Sequence, residues 1–546
     1  MKNKINWNLI FYTLIYVYLS LPVMIFMAGW CKWYIGIPVT VIIAAAVVLC
    51  VREHREKAGD FQDLIANLTR QDMIKILVIF AILAIWVVFS GIGGYAWQNE
   101  DHLTRNALFG SLVYDKWPVI REVEIDGTLT SRGLVYYIGF WLPAALVGKL
   151  FGMYVGFAAQ YVWALLGLVL LYALICVWQK KIAIWPLVVL IMFSGLDAVG
   201  NILVSFDELK IFGYEHLEAW SGDFQFSSMT TQLFWVFNQS IAAWLCSCLI
   251  FTKERVRNII FVWSTLLLTS TFSFAGLIPF VAYYLIVRTD WNAGSVKFKS
   301  VFMTGLRNWG SLQNILAGGL VGIISVFYLM SNVYVGKGLI GSLGLVEMVL
   351  VILVAVILAC VIAAFAGVLY LKGRGKYINW ILPVLLIAFT CYAVSHNIRQ
   401  EWLSPVFYWV NMMLFLFLEA GVFLACVYPF QKKKGQFWLN AVWLYLIPLI
   451  VVGGSCDFCM RASIPGLFLL ALWCIDVLAQ KQRNVATYAL IVLLIIGSVT
   501  PIHEIKRTYA NSRNYHVTTF IDPEDLFRSA NFGSEPGGLF WEYIAK

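Results

Sequence analysis

Trp97–Val119 reads WQNEDHLTRNALFGSLVYDKWPV. It follows Ile74–Phe89, one of the most apolar runs of the chain, and interrupts it with an acidic pair, a histidine and an arginine. Glu100 and Asp101 therefore stand where a membrane helix leaves the bilayer. The residues after them are too polar to stay in hydrocarbon and too apolar to drift into water. A carboxylate at the membrane is costly and is a functional candidate by default. The stretch reads as the catalytic rim of a membrane enzyme.

Composition sets the class around that rim. The chain is 61% hydrophobic and 13% charged, with a mean hydropathy of +0.80, outside the range of soluble proteins. Apolar runs of roughly 20 residues recur, enough to cross a bilayer as helices. The expected fold is all-α and polytopic. The net charge of +9 does not point to nucleic acid, because the basic residues lie in short clusters between apolar runs. Most of the 11 cysteines lie inside those runs, where Cys behaves as a small apolar residue. Met1–Asn8 leads into an apolar run with no small-residue cleavage pattern, so the first helix is expected to be retained.

Orientation follows from Lys and Arg. Clusters at Lys2/Lys4, Arg52–Lys75, Lys180/Lys181, Lys253–Arg257, Arg288–Arg307, Lys372–Lys376, Lys432–Lys434 and Lys481/Arg483 hold most of the 39 basic residues and read as cytoplasmic. Helices are expected near 8–28, 35–51, 74–93, 154–177, 182–200, 230–251, 258–273, 276–288, 312–331, 344–371, 377–395, 406–427, 437–453, 466–480 and 485–501. That is about 15 transmembrane helices, with the N-terminus cytoplasmic and the C-terminus extracytoplasmic. Leu134–Gly152 is apolar enough to cross, but crossing would invert every later loop. Charge parity makes it an interfacial helix on the outer leaflet, with Tyr136, Tyr137 and Trp141 suited to the headgroup level. Three regions result: 1–73, an accessory helix pair with an amphipathic cytoplasmic loop; 74–501, a transmembrane core with outer loops 94–153 and 201–229; and 502–546, an extracytoplasmic tail expected to fold back over the outer surface.

A helix ending in an acidic motif, outer juxtamembrane helices, and then LVYYIGFWLPAALVGKLFG running into the next helix resembles the GT-C superfamily of membrane glycosyltransferases. There the first outer loop carries an Asp or Glu, and a following patch reads like P-P-L-x-Y-W…L-F-G. Gly133–Tyr137 and Leu150–Gly152 occupy that place, with Arg132-Gly133 where prolines are usual. The resemblance is firmest over Ile74–Trp178. NEDHLTRN…WPV, with SGLD at Ser194–Asp197, FWVFNQ at Phe234–Gln239 and DFCMRASIP at Asp457–Pro465, also resembles uncharacterised bacterial GT-C-like membrane proteins. The resemblance implies a transferase of the bacterial plasma (inner) membrane that builds cell-envelope polysaccharide. It would take a polyprenyl-phosphate-linked sugar from the lipid and pass it to a glycan or glycolipid acceptor.

Such chemistry needs a carboxylate base for the acceptor hydroxyl and a cation for the departing phosphate. Asp101 is the first choice of base and Glu100 the second; the alternative is that both acids only favour the N-terminus of a juxtamembrane helix. Arg105 follows Asp101 at i, i+4, which would hold the carboxylate ionised. Arg461 is the leading phosphate ligand, or else only an ion-pair partner of Asp457; Arg399, His396 and Arg105 complete that set. His102, Asn106, Asp197, His216, Glu218, Trp220, Asn238 and Gln239 are candidates for acceptor or sugar binding, against solvated-loop or helix-pairing roles. Asp207, Glu208, Glu215 and Asp223 lie in the same outer loop, whereas Glu122, Glu124 and Asp126 read as a solvated loop. One histidine among scattered acids is a weak metal signal, so Mg or Mn is an optional partner of the phosphate rather than an expected one. Cys456 and Cys459 read as two unrelated thiols or a disulfide.

Two other classes compete. A flippase or transporter for lipid-linked sugar would want charges near the bilayer midplane and related halves, and few mid-helix charges and no repeat are evident. A polysaccharide polymerase or ligase would carry its major outer loop later in the chain.

Overall fold

A computed structural model describes residues 6–55, 60–66, 68–204, 216–222, 224–291, 297–332, 361, 364–396, 406–450, 452, 456–513 and 521–546. The protein is predominantly helical, and nine helices among the described residues are long and apolar enough to cross a membrane. The hairpin α1 (Trp7–Trp30) and α2 (Trp33–Arg55) comes first, followed by the short α3 (Asp60–Ala66), which Asn8 caps through Oδ1 from the amides of Phe61 and Gln62. Helix α4 (Arg70–Phe89) starts in a capping box, with Thr69 and Asp72 exchanging side-chain-to-amide bonds. It ends four residues before the expected boundary because Gly91, Gly93 and Gly94 all take positive φ, which turns the chain toward α5 (Glu100–Tyr114).

The chain then does something the all-α expectation lacks. Ile120–Ile125 (β1) and Thr128–Leu134 (β2) pair antiparallel across an Asp126-Gly127 turn with φ of 50° and 77°. Glu122, Glu124 and Asp126 therefore belong to a β-hairpin rather than a shapeless loop. Its second strand is joined by β3 (Gly533–Ser534). The chain end also meets the α1–α2 turn, where the Lys32 amide donates to Ile544 at 2.8 Å and the Lys546 amide to Trp30 at 3.0 Å.

Helix α6 (Leu142–Phe151) has 10 residues, about 15 Å of helix, half of what a crossing needs. It does not span. Trp141 is buried and packs edge-on to Phe237, 6.1 Å between ring centroids. Helix α7 (Met153–Gln179) follows. The expected 182–200 helix is broken into α8 (Trp185–Met192) and α9 (Asp197–Val204), because the last carbonyls of α8 accept from the next long helix: Thr230 Oγ1 on Ile191 at 2.8 Å and the Met229 amide on Phe193 at 3.0 Å.

That helix, α10 (Met229–Thr252), is the axis of the molecule, buried along nearly its whole length. Ser228 caps it by accepting from the Thr231 amide. Its Ser, Ala and Cys residues let neighbours approach closely, and Trp244 stacks parallel on Trp86 of α4 at 6.0 Å. Around it stand α11 (Val256–Ser264), α12 (Thr271–Val287), α13 (Phe298–Trp309) and α14 (Gly319–Met330), then α15 (Ile378–His396), α16 (Val406–Leu416), α17 (Val422–Gln431) and α18 (Gly435–Leu446). The short α19 (Asp457–Ala462) leads into α20 (Ile464–Ala479), and α21 (Val485–Gly497) and α22 (Val499–Ser512) close the bundle before α23 (Pro523–Arg528). Most of the expected 344–371 helix lies outside the described residues. Helix α22 runs to Ser512, eleven residues beyond the expected end at 501, and buries His503, Glu504, Arg507 and Thr508.

Candidate functional site

Two polar groups lie beside the first half of α10, where Val236 (φ −135°, ψ 37°) interrupts its helical backbone. The first is built on α5. Asn99 precedes that helix, with Nδ2 donating to the Phe234 carbonyl at 2.9 Å, and Glu100 and Asp101 occupy the first turn. Acids are favoured there by the helix dipole, and Asp101 is also engaged: Arg105 Nη2 donates to Oδ2 at 2.7 Å, as the i, i+4 spacing predicts. The Asp101 side chain remains 45% exposed and that of Arg105 only 9%. Glu100 is exposed. The Arg105 guanidinium lies 5.3 Å from the Phe237 ring centroid, and its Nη1 is buried without an acceptor among the described residues.

Arg461, from far along the chain, stands within electrostatic reach of Tyr137 and Tyr136. Its Nη1 pairs with Asp457, its guanidinium faces the Phe272 ring, and its Nε is buried with no acceptor among the described residues. The mount is tight. Ser273 Oγ donates to the Arg461 carbonyl at 3.0 Å, and Gly276 meets the Ala462 carbonyl so closely that a Cβ there would lie 2.1 Å from it. Tyr136 joins the two arginines. Burial and its hydroxyl contact with Tyr137 hold the Tyr136 pKa well above the ordinary phenol value, while Arg461 and then Arg105 pull it down, so both guanidiniums act on one hydroxyl. Asp101 is thus a half-exposed carboxylate held by a buried arginine, and Arg461 is a second buried cation with a spare donor within electrostatic reach of Tyr136 and Tyr137.

His102 and Asn106 share α5 but serve its seat. Asn106 Nδ2 donates to Gln98 Oε1 at 2.9 Å, Gln98 Nε2 donates to the Gly91 carbonyl at 2.8 Å, and His102 Nε2 lies 3.2 Å from the Ser90 carbonyl. Burial, with Arg105 beside it, pushes the His102 pKa down to about 3, so this ring is neutral at ordinary pH.

The second group is a buried acid network. His216 Nδ1 meets Glu504 Oε1 at 2.9 Å, and its Nε2 lies 3.7 Å from Glu218 Oε2. Glu218 accepts from Gln225 Nε2 and from the Ser228 amide, both at 2.9 Å. Glu504 also accepts from Trp235 Nε1 at 3.0 Å and from Arg507, whose guanidinium sits between the Trp97 and Trp235 rings. Burial raises Glu218 to about 7, with His216 opposing and Asp197 adding to the shift. Burial works against the charge on His216, but the bond to Glu504 and the charge of Glu218 outweigh it and raise its pKa. Deeper in, Asp197 Oδ2 accepts from Ser194 at 2.8 Å and from Thr500 at 2.9 Å, and Glu419 Oε1 accepts from Trp220 Nε1 at 3.1 Å. Glu419 sits on a π-helical turn between α16 and α17, pressed on Gly195, where a Cβ would lie 1.7 Å from Oε2.

The structure thus pairs Asp101 with Arg105, seats Arg461 on Asp457 within electrostatic reach of Tyr136, and gathers Asp197, His216, Glu218 and Trp220 in another place. Trp220 is buried against Gly200 rather than offering an open ring face. Asn238 and Gln239 are buried in α10, and the Asn238 amide finds no partner among the described residues, an arrangement that ordinarily costs about 1–3 kcal/mol. Arg399, Asp207, Glu208, Glu215 and Asp223 lie outside the described residues; His396 is the last residue of α15. Cys456 and Cys459 are separate thiols. No three of His, Cys, Asp and Glu are disposed to hold a metal ion among the described residues.

Sequence reasoning passed over Glu419, Glu504 and Arg507. The signal for Glu419 is plain, a lone acid in FLFLEAGVFL, and it is one of the few mid-helix charges, near the middle of the Trp409–Gln431 span. Glu504 and Arg507 were assigned to a tail. The chain matches no family model, no curated protein and no solved structure with which it was compared.

Proposed function

We propose that the chain is an inverting GT-C-type glycosyltransferase that moves a sugar from a polyprenyl-phosphate or polyprenyl-diphosphate donor to a glycan or glycolipid acceptor on the extracytoplasmic side of a bacterial inner membrane. The observation that carries this reading is the Asp101–Arg105 ion pair at the start of α5, 2.7 Å long, with the carboxylate half-exposed and the arginine buried. About 15 spans and a cytoplasmic N-terminus belong to the same proposal. Asp101 takes the proton of the acceptor hydroxyl, whose oxygen forms a bond to the anomeric carbon. The bond from that carbon to the phosphate oxygen breaks on the opposite face, which inverts the centre. The electron pair leaves on the phosphate, whose charge the Arg461 and Arg105 guanidiniums offset.

The test uses purified protein, a panel of synthetic polyprenyl-phosphate sugars and a measurement of free polyprenyl phosphate. Asp101→Asn is expected to lose at least about 100-fold in rate, the low end for removing a general base, and Glu100→Gln to stay near wild type. Release that survives Asp101→Asn overturns the assignment of the base.

The buried acids favour a second reading, a transporter of lipid-linked sugar, because Glu419 stands mid-span and shares a side-chain hydrogen bond with a second buried acid, Asp197. Loss of lipid translocation in proteoliposomes on Glu419→Gln, with no sugar transfer by the wild type, would favour it over transfer.

A further inference from the structure

Fourteen residues along α10 from Phe237, about 21 Å of helix, Phe251 enters the wall of a cavity of about 550 Å³. It lies at the end of the bundle opposite the Asp101 rim, and its volume is that of a small-ligand site. Lys376, Lys433 and Lys434 stand at its mouth, and no Asp or Glu lines it among the described residues. None of the three lysines has an ion-pair partner among the described residues.

The fourth cation, Arg288, is part of the wall. Its Nη1 donates to the carbonyls of Ile250 and Glu254 at 2.7 and 2.8 Å, its Nη2 to Phe251 at 2.9 Å, and it stacks 4.0 Å above the Tyr284 ring. The carboxylate of nearby Glu254 is turned away, accepting from Tyr16 and Asn258. Gly435 and Gln436, the first turn of the 12-residue α18, also face the cavity, adding the positive end of a helix. Beneath the charges the lining changes character, to Trp178, Leu469, Leu472 and Trp473.

Three unpaired cations focused in a concave mouth raise the local concentration of anions. A soluble anion needs only the mouth, and the apolar floor suits a ligand with a hydrocarbon body. We infer that this cavity binds a phosphorylated ligand, its phosphate held by Lys376, Lys433, Lys434 and the α18 N-terminus and its body lying on Trp178, Leu472 and Trp473. The site is separate from the rim, since no phosphate here can reach Asp101. On the orientation proposed above it opens to the cytoplasmic face, but the site stands whichever face that is.

Binding of dioctanoyl phosphatidic acid, dioctanoylglycerol and inorganic phosphate to the purified full chain, measured calorimetrically in detergent, tests this. Phosphatidic acid is expected to bind and dioctanoylglycerol not. Lys433→Gln with Lys434→Gln should weaken the phosphatidic acid at least about tenfold, one charge-assisted contact. Lys481→Gln with Arg483→Gln removes the same charge at a place that does not line the cavity and should leave binding unchanged. Inorganic phosphate binding with the same lysine dependence also supports the site and makes its source soluble. No binding of either phosphate probe, binding that survives the Lys433/Lys434 change, or equal weakening in the Lys481/Arg483 protein overturns it.

Discussion

Arg461 is where charge, burial and reach meet most tightly. Its pairing with Asp457 and its role as a phosphate ligand were alternatives in the sequence, and the geometry accommodates both, one nitrogen on Asp457 and another free. Arg461→Gln is expected to lower kcat/KM for the lipid donor by about 10- to 100-fold, the range for one or two charge-assisted bonds, which steady-state kinetics over donor concentration would show. The acid network gives a prediction in pH. Glu218 binds its proton more tightly in the folded chain, about 7 against an ordinary 4.5, so stability falls as pH rises between those values. His216 is also raised; its contribution is complete below the ordinary histidine value and is lost as pH climbs through the folded one. Both slopes have the same sign. His102, whose pKa burial holds down, gives a slope of the opposite sign below the ordinary histidine value, so the readout is a difference: wild type is expected to lose stability relative to Glu218→Gln as pH rises from 5 to 8, when both proteins are melted across the range. At this scale much was readable, because an acid or arginine beside an apolar run stands out. Glu504 and Arg507 did not stand out, since only the continuation of α22 makes them buried.

The helices reveal what hydropathy can and cannot carry. The positions of α1, α2, α4, α7 and α10 follow from apolar runs. The breaks at Phe193 and Val236 do not, because they depend on which helix supplies the next donor. The hairpin had its signal in IREVEIDGTLTS, alternation around Asp-Gly, but its charge resembled that of a solvated loop. One element matters to the site beyond its own residues: α12 holds α19 through Ser273 and the bare Cα of Gly276. Gly276→Ala must push the Arg461 turn outward. The expected result is a raised donor KM with the protein still folded, and the contrast with Ser273→Ala, which removes one hydrogen bond and little space, distinguishes displacement from simple loosening.

At the scale of the whole molecule, the rim is assembled from distant parts of the chain. Helix α5 carries Asp101 and Arg105 and α19 carries Arg461, while α22 holds the acid network and β3 completes the sheet of the hairpin. Removing 521–546 is expected to speed amide hydrogen exchange in 133–135, which pair with the 532–534 stretch, by tenfold or more, one lost pairing of about 1.4 kcal/mol, while exchange in α10 stays slow. Equal rates in the truncated chain would show that the hairpin holds its own shape. Membrane class and helical architecture were legible because they are properties of averages. The buried network was not, because it joins residues from 194 to 507 that only the packing brings together.

The seat of Glu419 also limits how this chain can change by descent. No side chain fits at position 195 while a glutamate occupies 419, and a shorter residue at 419 would strip Trp220 of its acceptor. Neither position can drift alone. In chains descended from the same ancestor, the glycine and the acid should be kept together or lost together, and an exception with a side chain at one and glutamate at the other would have to have parted the α8–α9 break from the turn that carries Glu419.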